Sequence, residues 1–157
     1  MRELDDKEVY RLEECLKELA EHHNEVSTGF KGCYPKRPFA ETLESFREDV
    51  RNGKSRIAAV ENGDKALGFC KIDICGTEGK IDYLIVLKEA RGNGYGNDLM
   101  DWAVETLKRD GADRIEVRVV YGNDAVRFYE KCGFIPDGEE KENTRIAATE
   151  IRMLLKR

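Results

Sequence analysis

The sequence predicts a single α+β domain, built on one mixed, mostly antiparallel and twisted β-sheet that about four α-helices flank. Two observations lead to this fold class. The spacing of apolar residues changes from helical to strand-like near Ser55, and two strand-to-helix units follow three strands joined by glycine turns. The length of 157 residues is that of one domain by the prior of ~150 residues each. We therefore expect residues 1–157 to fold as one domain.

The first third of the chain predicts two helices joined by a loop. Apolar residues recur at helical spacing from Val9 to Ala20, and this helix should end near Asn24. Residues 25–38 contain two glycines and two prolines beside aromatic residues, which is typical of a loop. The apolar face of the second helix is formed by Phe39, Leu43, Phe46 and Val50.

The middle of the chain predicts an antiparallel meander of three strands. Residues 56–60 and 67–75 are strand-like, and the Asn-Gly pair between them suits a tight hairpin turn. A second glycine turn at 76–79 leads into a third strand at 81–87.

The last third predicts a strand between two helices, followed by a final strand. The third helix runs through 99–107 and is closed by Gly111. Residues 114–119 alternate polar and apolar side chains as a strand does, and a fourth helix follows at 123–132. The last strand is expected at 144–155.

The charge, the cysteines and the hydropathy exclude several classes of protein. With 27 basic and 32 acidic residues the net charge is −5, which argues against a nucleic-acid binder, and residues 1–52 carry −4 of it. Five cysteines lie at irregular gaps without a C-x-x-C pair or zinc-like spacing, so we expect reduced thiols and no metal site. Because there is no apolar signal core and no run of ~18 apolar residues, we expect a cytoplasmic protein without a membrane contact.

A glycine-rich turn, Arg91-Gly92-Asn93-Gly94-Tyr95-Gly96, lies between an apolar strand and a one-sided helix. Such a turn directs several N–H groups to one point before a helix N-terminus, a geometry that binds phosphate. The alternative is an ordinary glycine turn. The spacing fits neither the P-loop pattern nor the dinucleotide-binding pattern.

A second segment, residues 122–134 in the next strand-helix unit, favours a functional interpretation of this turn. Together the two segments resemble the signatures of the GNAT superfamily of N-acetyltransferases, [RQ]-x-x-G-x-[GA] and N-x-x-A-x-x-[FL]-Y-x-x-x-G-F. The first is matched by Arg91, Gly94 and Gly96, and the second by Ala125, Phe128, Tyr129, Gly133 and Phe134, with Asn123 one residue nearer to Ala125 than the pattern has it. The resemblance covers about residues 40–135 and implies a GNAT-like fold. Members usually open with a short strand, whereas this chain runs almost directly into its first helix.

The resemblance implies that acetyl-coenzyme A is the cosubstrate and lies between two splayed parallel strands, which end here at Val86 and Val119. The pyrophosphate would be held by the N–H groups of residues 91–96, from Arg91 through Gly92, Asn93, Gly94 and Tyr95 to Gly96. The pantetheine arm would pair with the main chain of Leu84, Ile85 and Val86. One N–H of that strand would act as an oxyanion-hole donor, often worth ~3 kcal/mol of barrier.

The resemblance also places a general acid at Tyr129, which would protonate the departing thiolate. A phenol of pKa ~10 can supply a proton to a thiolate of pKa ~8.5 when both are held in place. The alternative is a core aromatic residue. Asn123 would bond the cofactor arm, cap its helix, or do both.

An attacking amine is almost wholly protonated at pH 7, so a base or a water chain is needed. Asp82, four residues before Val86, is our first candidate for a water-relayed base, with an exposed strand carboxylate as the alternative. His22 and His23 at the end of the first helix are further candidates, although adjacent histidines at a helix end are more often solvated. Cys132 is expected to pack, since direct transfer needs no acyl-enzyme.

The sequence thus leads to an enzyme that transfers an acetyl group from acetyl-coenzyme A to a primary amine by direct transfer in a ternary complex. The alternative is a non-catalytic acyl-coenzyme A sensor that regulates a partner. We expect a small-molecule amine acceptor, and the acidic first third favours a cationic one. No sequence feature decides whether the homodimer that is common in the family forms.

Overall fold

A computed structural model describes residues 1–26, 38–120, 125–143 and 148–155, and for 22–26, 118–120, 137–143 and 148–153 it describes the backbone alone. The helices are α1 (Glu13–Val26), α2 (Phe39–Arg51), α3 (Tyr95–Arg109) and α4 (Ala125–Lys131), with 3₁₀ helices at Asp6–Leu12 and Lys88–Ala90. The strands are β1 (Arg2–Glu3), β2 (Ser55–Asn62), β3 (Lys65–Cys75), β4 (Glu78–Val86), β5 (Arg114–Val120), β6 (Phe134–Asn143) and β7 (Ala148–Leu155).

The described strands form one sheet in the order β1-β2-β3-β4-β5-β7-β6, in which β4 and β5 are parallel and the other neighbours are antiparallel. Each face carries its own apolar core. One core joins the sheet to α3 and α4, and the other joins it to the 3₁₀ helix, α1 and α2. The predicted α+β class with its mostly antiparallel sheet is confirmed.

The N-terminus contains a strand, but only two residues of it. Side-chain ion pairs anchor this short edge: Arg2 Nε lies 2.7 Å from a Glu61 carboxylate oxygen, and Arg56 Nε lies 2.6 Å from one of Glu3. Leu4 follows as a buried core residue. The helical spacing that begins at Val9 belongs first to a 3₁₀ helix and only then to α1.

The expected last strand is confirmed as β7, but the strand before it, β6, was not predicted; the two pair antiparallel. The pattern of β6 hid it, because Pro136, Gly138 and a run of charged residues remove the apolar alternation that marks a half-buried strand. The ladder itself is irregular between Pro136 and Glu140. Backbone pairing with β7, which the local pattern does not encode, defines this edge of the sheet.

The pairing of β3 with β4 requires a glycine at position 68. A Cβ placed on Gly68 would lie 2.7 Å from the carbonyl oxygen of Ile85 and 3.2 Å from the Cα of Val86, both main-chain atoms of β4. Backbone atoms in a paired strand cannot move aside as the end of a side chain can. The close approach fixes where the second half of β4 lies.

We predict that Gly68→Ala destabilises the protein by about 1–3 kcal/mol, because the added methyl group pushes β4 away from β3. Urea unfolding followed by circular dichroism measures the loss. Gly79→Ala is the matched control, since its Cβ would meet only the side chains of Leu107 and Ala112, at 3.0–3.1 Å. A loss in Gly68→Ala no larger than in this control would contradict the explanation.

Candidate active site

The sheet opens between its two parallel strands. The β4–β5 ladder runs from Glu78 opposite Arg114 to Ile81 opposite Val117 and stops there. Beyond that point β4 stays paired with β3, and β5 stays paired with β7. The ends of the two strands therefore border a gap, which we call the β4–β5 gap.

A β-bulge lies where the gap begins. Tyr83 is opposite Lys71 and Ile81 is opposite Ile72, so Asp82 has no partner residue on β3. A bulge leaves one extra residue unpaired and turns the strand locally. As a result, Ile81 packs into the core under α3, whereas Asp82 and Tyr83 both contact groups on the face that α2 covers.

The second half of β4 presents main-chain groups to the gap. Leu87 donates its N–H to the carbonyl of Leu67 on β3 at 2.8 Å. Since main-chain groups alternate in direction along a strand, those of Ile85 also face β3 and those of Leu84 and Val86 face the gap. On that side no described strand pairs with Leu84 or Val86.

The glycine-rich turn follows β4 and leads into α3. Gly92 and Gly94 have φ of +85° and +80°, and Gly94 is the N-cap of α3, accepting the N–H of Asp98 at 3.0 Å. Left-handed φ values are unfavourable for residues with a Cβ, which explains the glycines. Asn93 closes the turn, because its Nδ2 donates to the carbonyl of Ala90 at 2.9 Å.

Among the main-chain N–H groups of the turn, that of Arg91 donates to the carbonyl of Lys88 at 3.3 Å. None of the N–H groups from Gly92 to Asn97 donates to a backbone carbonyl within the described ranges. They precede a fifteen-residue helix, whose N-terminus carries about half a positive charge. Arg91 is exposed, and its Nε donates to the carbonyl of Val86 at 3.1 Å, so its side chain joins the turn to the end of β4. The turn is an anion-binding arrangement.

Tyr129 lies on α4 and belongs to the core between the sheet, α3 and α4, the same core as Ile81 and Val117 at the start of the gap. It is 8% exposed. Its ring packs edge-on against those of Phe128 and Phe134, with ring centroids 5.5 and 5.8 Å away. Burial raises the pKa of Tyr129, because a phenolate there would lose its hydration. The hydroxyl therefore stays protonated throughout the neutral pH range.

Asp82 lies on the opposite face, in a cluster that the sequence analysis missed. Its Oδ2 is 2.7 Å from the Nζ of Lys71, which also lies 2.8 Å from Asp73 Oδ1 and 3.6 Å from Asp49 Oδ2. Lys80 Nζ lies 3.5 Å from the other oxygen of Asp82. We call Lys71 and its three carboxylates the Lys71 cluster. The signal in the sequence is a lysine within the otherwise apolar run of β3, which marks a buried cation in need of partners.

The remaining candidates are placed less fully. Asn123 lies outside the described residues. His22 and His23 lie in α1, where the structure describes their backbone but not their side chains. The described cysteines, Cys15, Cys70, Cys75 and Cys132, are free thiols. Burial raises the pKa of the Cys15 thiol to about 12 and raises that of Cys132, so neither has the lowered pKa of a nucleophile.

Two classes of site find no support in the described part of the chain. No group of three or more His, Cys, Asp or Glu side chains there is arranged to hold a metal ion. No helix within it is long and apolar enough to cross a membrane.

The opening between the parallel strands and the glycine-rich turn after β4 are the features that the resemblance to the GNAT superfamily implied. The family model of the acetyltransferase (GNAT) family matches residues 16–134. The chain belongs to this family and is an acetyltransferase of the GNAT type.

A curated relative and two solved structures agree with this family. A Bacillus subtilis (strain 168) protein, provisionally named [ribosomal protein bS18]-alanine N-acetyltransferase, is 30% identical over 102 residues, which cover 64% of this chain and 68% of that protein. The PaiA N-acetyltransferase of Thermoplasma acidophilum in complex with coenzyme A superposes with a TM-score of 0.71 over 100% of both chains, at 16% identity. A chimera of the Vibrio cholerae spermidine N-acetyltransferase SpeG and hSSAT gives 0.70 over 98% of this chain and 93% of its own, at 21% identity.

Proposed function

We propose that this protein transfers an acetyl group from acetyl-coenzyme A to a primary amine by direct transfer in a ternary complex, with residues 1–157 acting as one domain. One observation carries the proposal. The β4–β5 gap has a protonated phenol in the core on one face of the sheet and a carboxylate on the other. Direct transfer needs a proton donor for the leaving thiolate and a proton acceptor for the attacking amine.

The glycine-rich turn and β4 are suited to the coenzyme. Unpartnered N–H groups from Gly92 to Gly96 would hold the pyrophosphate, and a Cβ placed on Gly92 or Gly94 would meet no atom of the protein within 4 Å, so the space above them is open. The main chain of Leu84 and Val86 would pair with the pantetheine arm, and Ile85 would hold β4 on β3. Asn123 would bond the same arm.

The thioester supplies an acetyl group whose carbonyl oxygen gains negative charge as the nitrogen attacks. An N–H of Leu84 or Val86, facing the gap, would donate to that oxygen. As the new C–N bond forms and the C–S bond breaks, Tyr129 would give its proton to the sulfur and later regain one from solvent. The high pKa of Tyr129 keeps that proton in place until a thiolate develops beside it.

On the other face, Asp82 would take one proton from the acceptor ammonium through a water molecule, which frees the lone pair for attack. After the attack, the positively charged nitrogen of the tetrahedral adduct releases its second proton to water and becomes the amide nitrogen as the C–S bond breaks. Asp82 is 23% exposed, so water reaches its carboxylate. Its place on the bulge puts it beside the opening of the gap.

The acceptor class follows from charge and from the relatives. The carboxylates of the Lys71 cluster lie on the face of the sheet opposite Tyr129. The names of two similar proteins give an alanine of a ribosomal protein and spermidine as acceptors. Both are cationic amines before they react, and we infer a cationic primary amine as the acceptor here.

The test is a panel of amines that includes polyamines, amino acids, aminoglycosides and peptides with alanine at the N-terminus. Coenzyme A release and acetylated acceptor are measured together by mass spectrometry. We expect the two to appear in equal amounts for at least one cationic amine, with KM rising with salt. Binding of acetyl-coenzyme A by calorimetry without turnover on the whole panel would favour the acyl-coenzyme A sensor instead.

We predict that Tyr129→Phe lowers kcat by about 100-fold or more, because general acid catalysis typically contributes 10²–10⁴-fold. The ring packing against Phe128 and Phe134 is retained, so stability should change little. Tyr10→Phe, which removes an exposed phenol on the 3₁₀ helix, is the control and should leave kcat unchanged. Wild-type turnover in Tyr129→Phe would remove this residue from the mechanism.

We predict that Gly94→Ala weakens acetyl-coenzyme A binding by about tenfold or more, since the methyl group enters the cradle and disturbs hydrogen bonds to a charged group. Calorimetry measures the affinity. Gly53→Ala imposes a similar strain, at φ of +74° and also with open space, in the turn between α2 and β2. That control should lose stability by about 1 kcal/mol without losing affinity. Equal affinities for the two variants would contradict the cradle.

A further inference from the structure

Lys71 is unusual in the part of the chain whose burial is described, because it is the one charged residue there that is buried, with 2% of its side chain exposed. It lies on β3, an inner strand of the sheet, with its ammonium 5.2 Å above the ring of Phe46. A buried cation is tolerated only where charges and hydrogen bonds replace water. Such a residue is kept either for the fold or for what its charge does to its partners.

The partners come from three elements. Asp49 is on α2, Asp73 is on β3 beside Lys71, and Asp82 is on the bulge of β4. Asp73 also accepts the hydroxyl of Ser55 on β2. The three carboxylates are each about a quarter exposed, whereas the ammonium between them is shut off from solvent. The three carboxylates therefore share one ammonium. If one carboxylate is removed, the ammonium interacts more strongly with the other two.

Other titratable groups near Asp82 are accounted for. Lys80 lies 3.5 Å from its Oδ1 and is 42% exposed, so solvent weakens its effect. Tyr83 follows Asp82 on β4 and packs edge-on against Phe46. Cys70 faces the other core, and burial, with a smaller effect from Asp82, raises the pKa of its thiol. Burial lowers the pKa of Lys71 most, but the attraction of Asp82 and Asp73 outweighs it, so the net shift is upward and the ammonium stays charged.

We propose that Lys71 is the positioning residue of Asp82: it fixes the carboxylate at the opening of the β4–β5 gap for proton transfer from the acceptor amine. The proposal rests on the proposed function. Asp82 is the unpaired residue of the bulge, so pairing with β3 does not orient it. The hydrogen bond from the buried Lys71 Nζ to Asp82 Oδ2, at 2.7 Å, does. The acceptor ammonium loses a proton, Asp82 gains it through water, and Lys71 keeps its own protons throughout.

The test is the acidic limb of the pH profile of kcat at saturating acceptor, followed by mass spectrometry of the product. In Lys71→Met the limb should move to higher pH by about 1–3 units, because a carboxylate without its cation holds a proton more tightly. Lys71→Arg should bring the limb back towards the wild type. Lys80→Met is the matched control and should move it by less than half as much.

Variants on the acidic side keep the test decisive where Lys71→Met does not fold. Asp49→Asn and Asp73→Asn remove competitors for Lys71 and should move the limb the other way, to lower pH, by about half a unit. A purely structural role for Lys71 would change stability and leave the limb in place. The proposal is wrong if the acidic limb of the pH profile stays in place in the variants that fold and their affinity for acetyl-coenzyme A is unchanged.

The failure of the proposed function would look different. Asp82→Asn should lower kcat about 100-fold or more if Asp82 is the base. Wild-type turnover in Asp82→Asn would overturn the base role and the inference with it. A large loss in Asp82→Asn without a shifted limb in the other variants would overturn the role of Lys71 alone.

Discussion

The loss of pairing between β4 and β5 beyond Ile81 and Val117 is the constraint on which the rest of the structure depends. Buried main-chain N–H and C=O groups need partners, and a sheet normally supplies them from the next strand. Here β3 and β7 hold the outer sides of the two strands, so the sheet opens without coming apart. The inner sides are left for water or a ligand. An extended pantetheine arm would offer N–H and C=O groups as a strand does.

The opening also joins two environments that a continuous sheet would keep separate. The face under α3 and α4 is apolar and raises the pKa of Tyr129 by withholding water. The face under α2 contains a shared lysine among carboxylates that reach solvent. The bulge at Asp82 makes this division possible. Regular alternation along β4 would direct the Asp82 side chain into the apolar core under α3, and the bulge turns it to the opposite face.

Local patterns predicted most of the fold and the glycine-rich turn between β4 and α3. Glycines at positive φ, the hairpin turn and the helix after the glycine-rich turn are set by neighbours in the sequence, and they agreed with the structure. The sequence analysis missed Lys71, the bulge and β6, because each depends on residues far apart along the chain. Lys71 meets Asp49 and Asp82 only after α2, β3 and β4 have assembled, and β6 becomes a strand only through β7.

The acidic excess of the first 52 residues has a structural use that composition does not reveal. Several of these acids pair with cations from later in the chain: Glu3 with Arg56, Glu14 with Lys65 and Asp49 with Lys71. These pairs tie β1, α1 and α2 to the sheet, and acids held in this way are less available to steer a ligand. The charge that matters for an acceptor is the local one, where three carboxylates meet Lys71 and the exposed Lys80. One negative charge is left over beside the gap, which a cationic amine would complement.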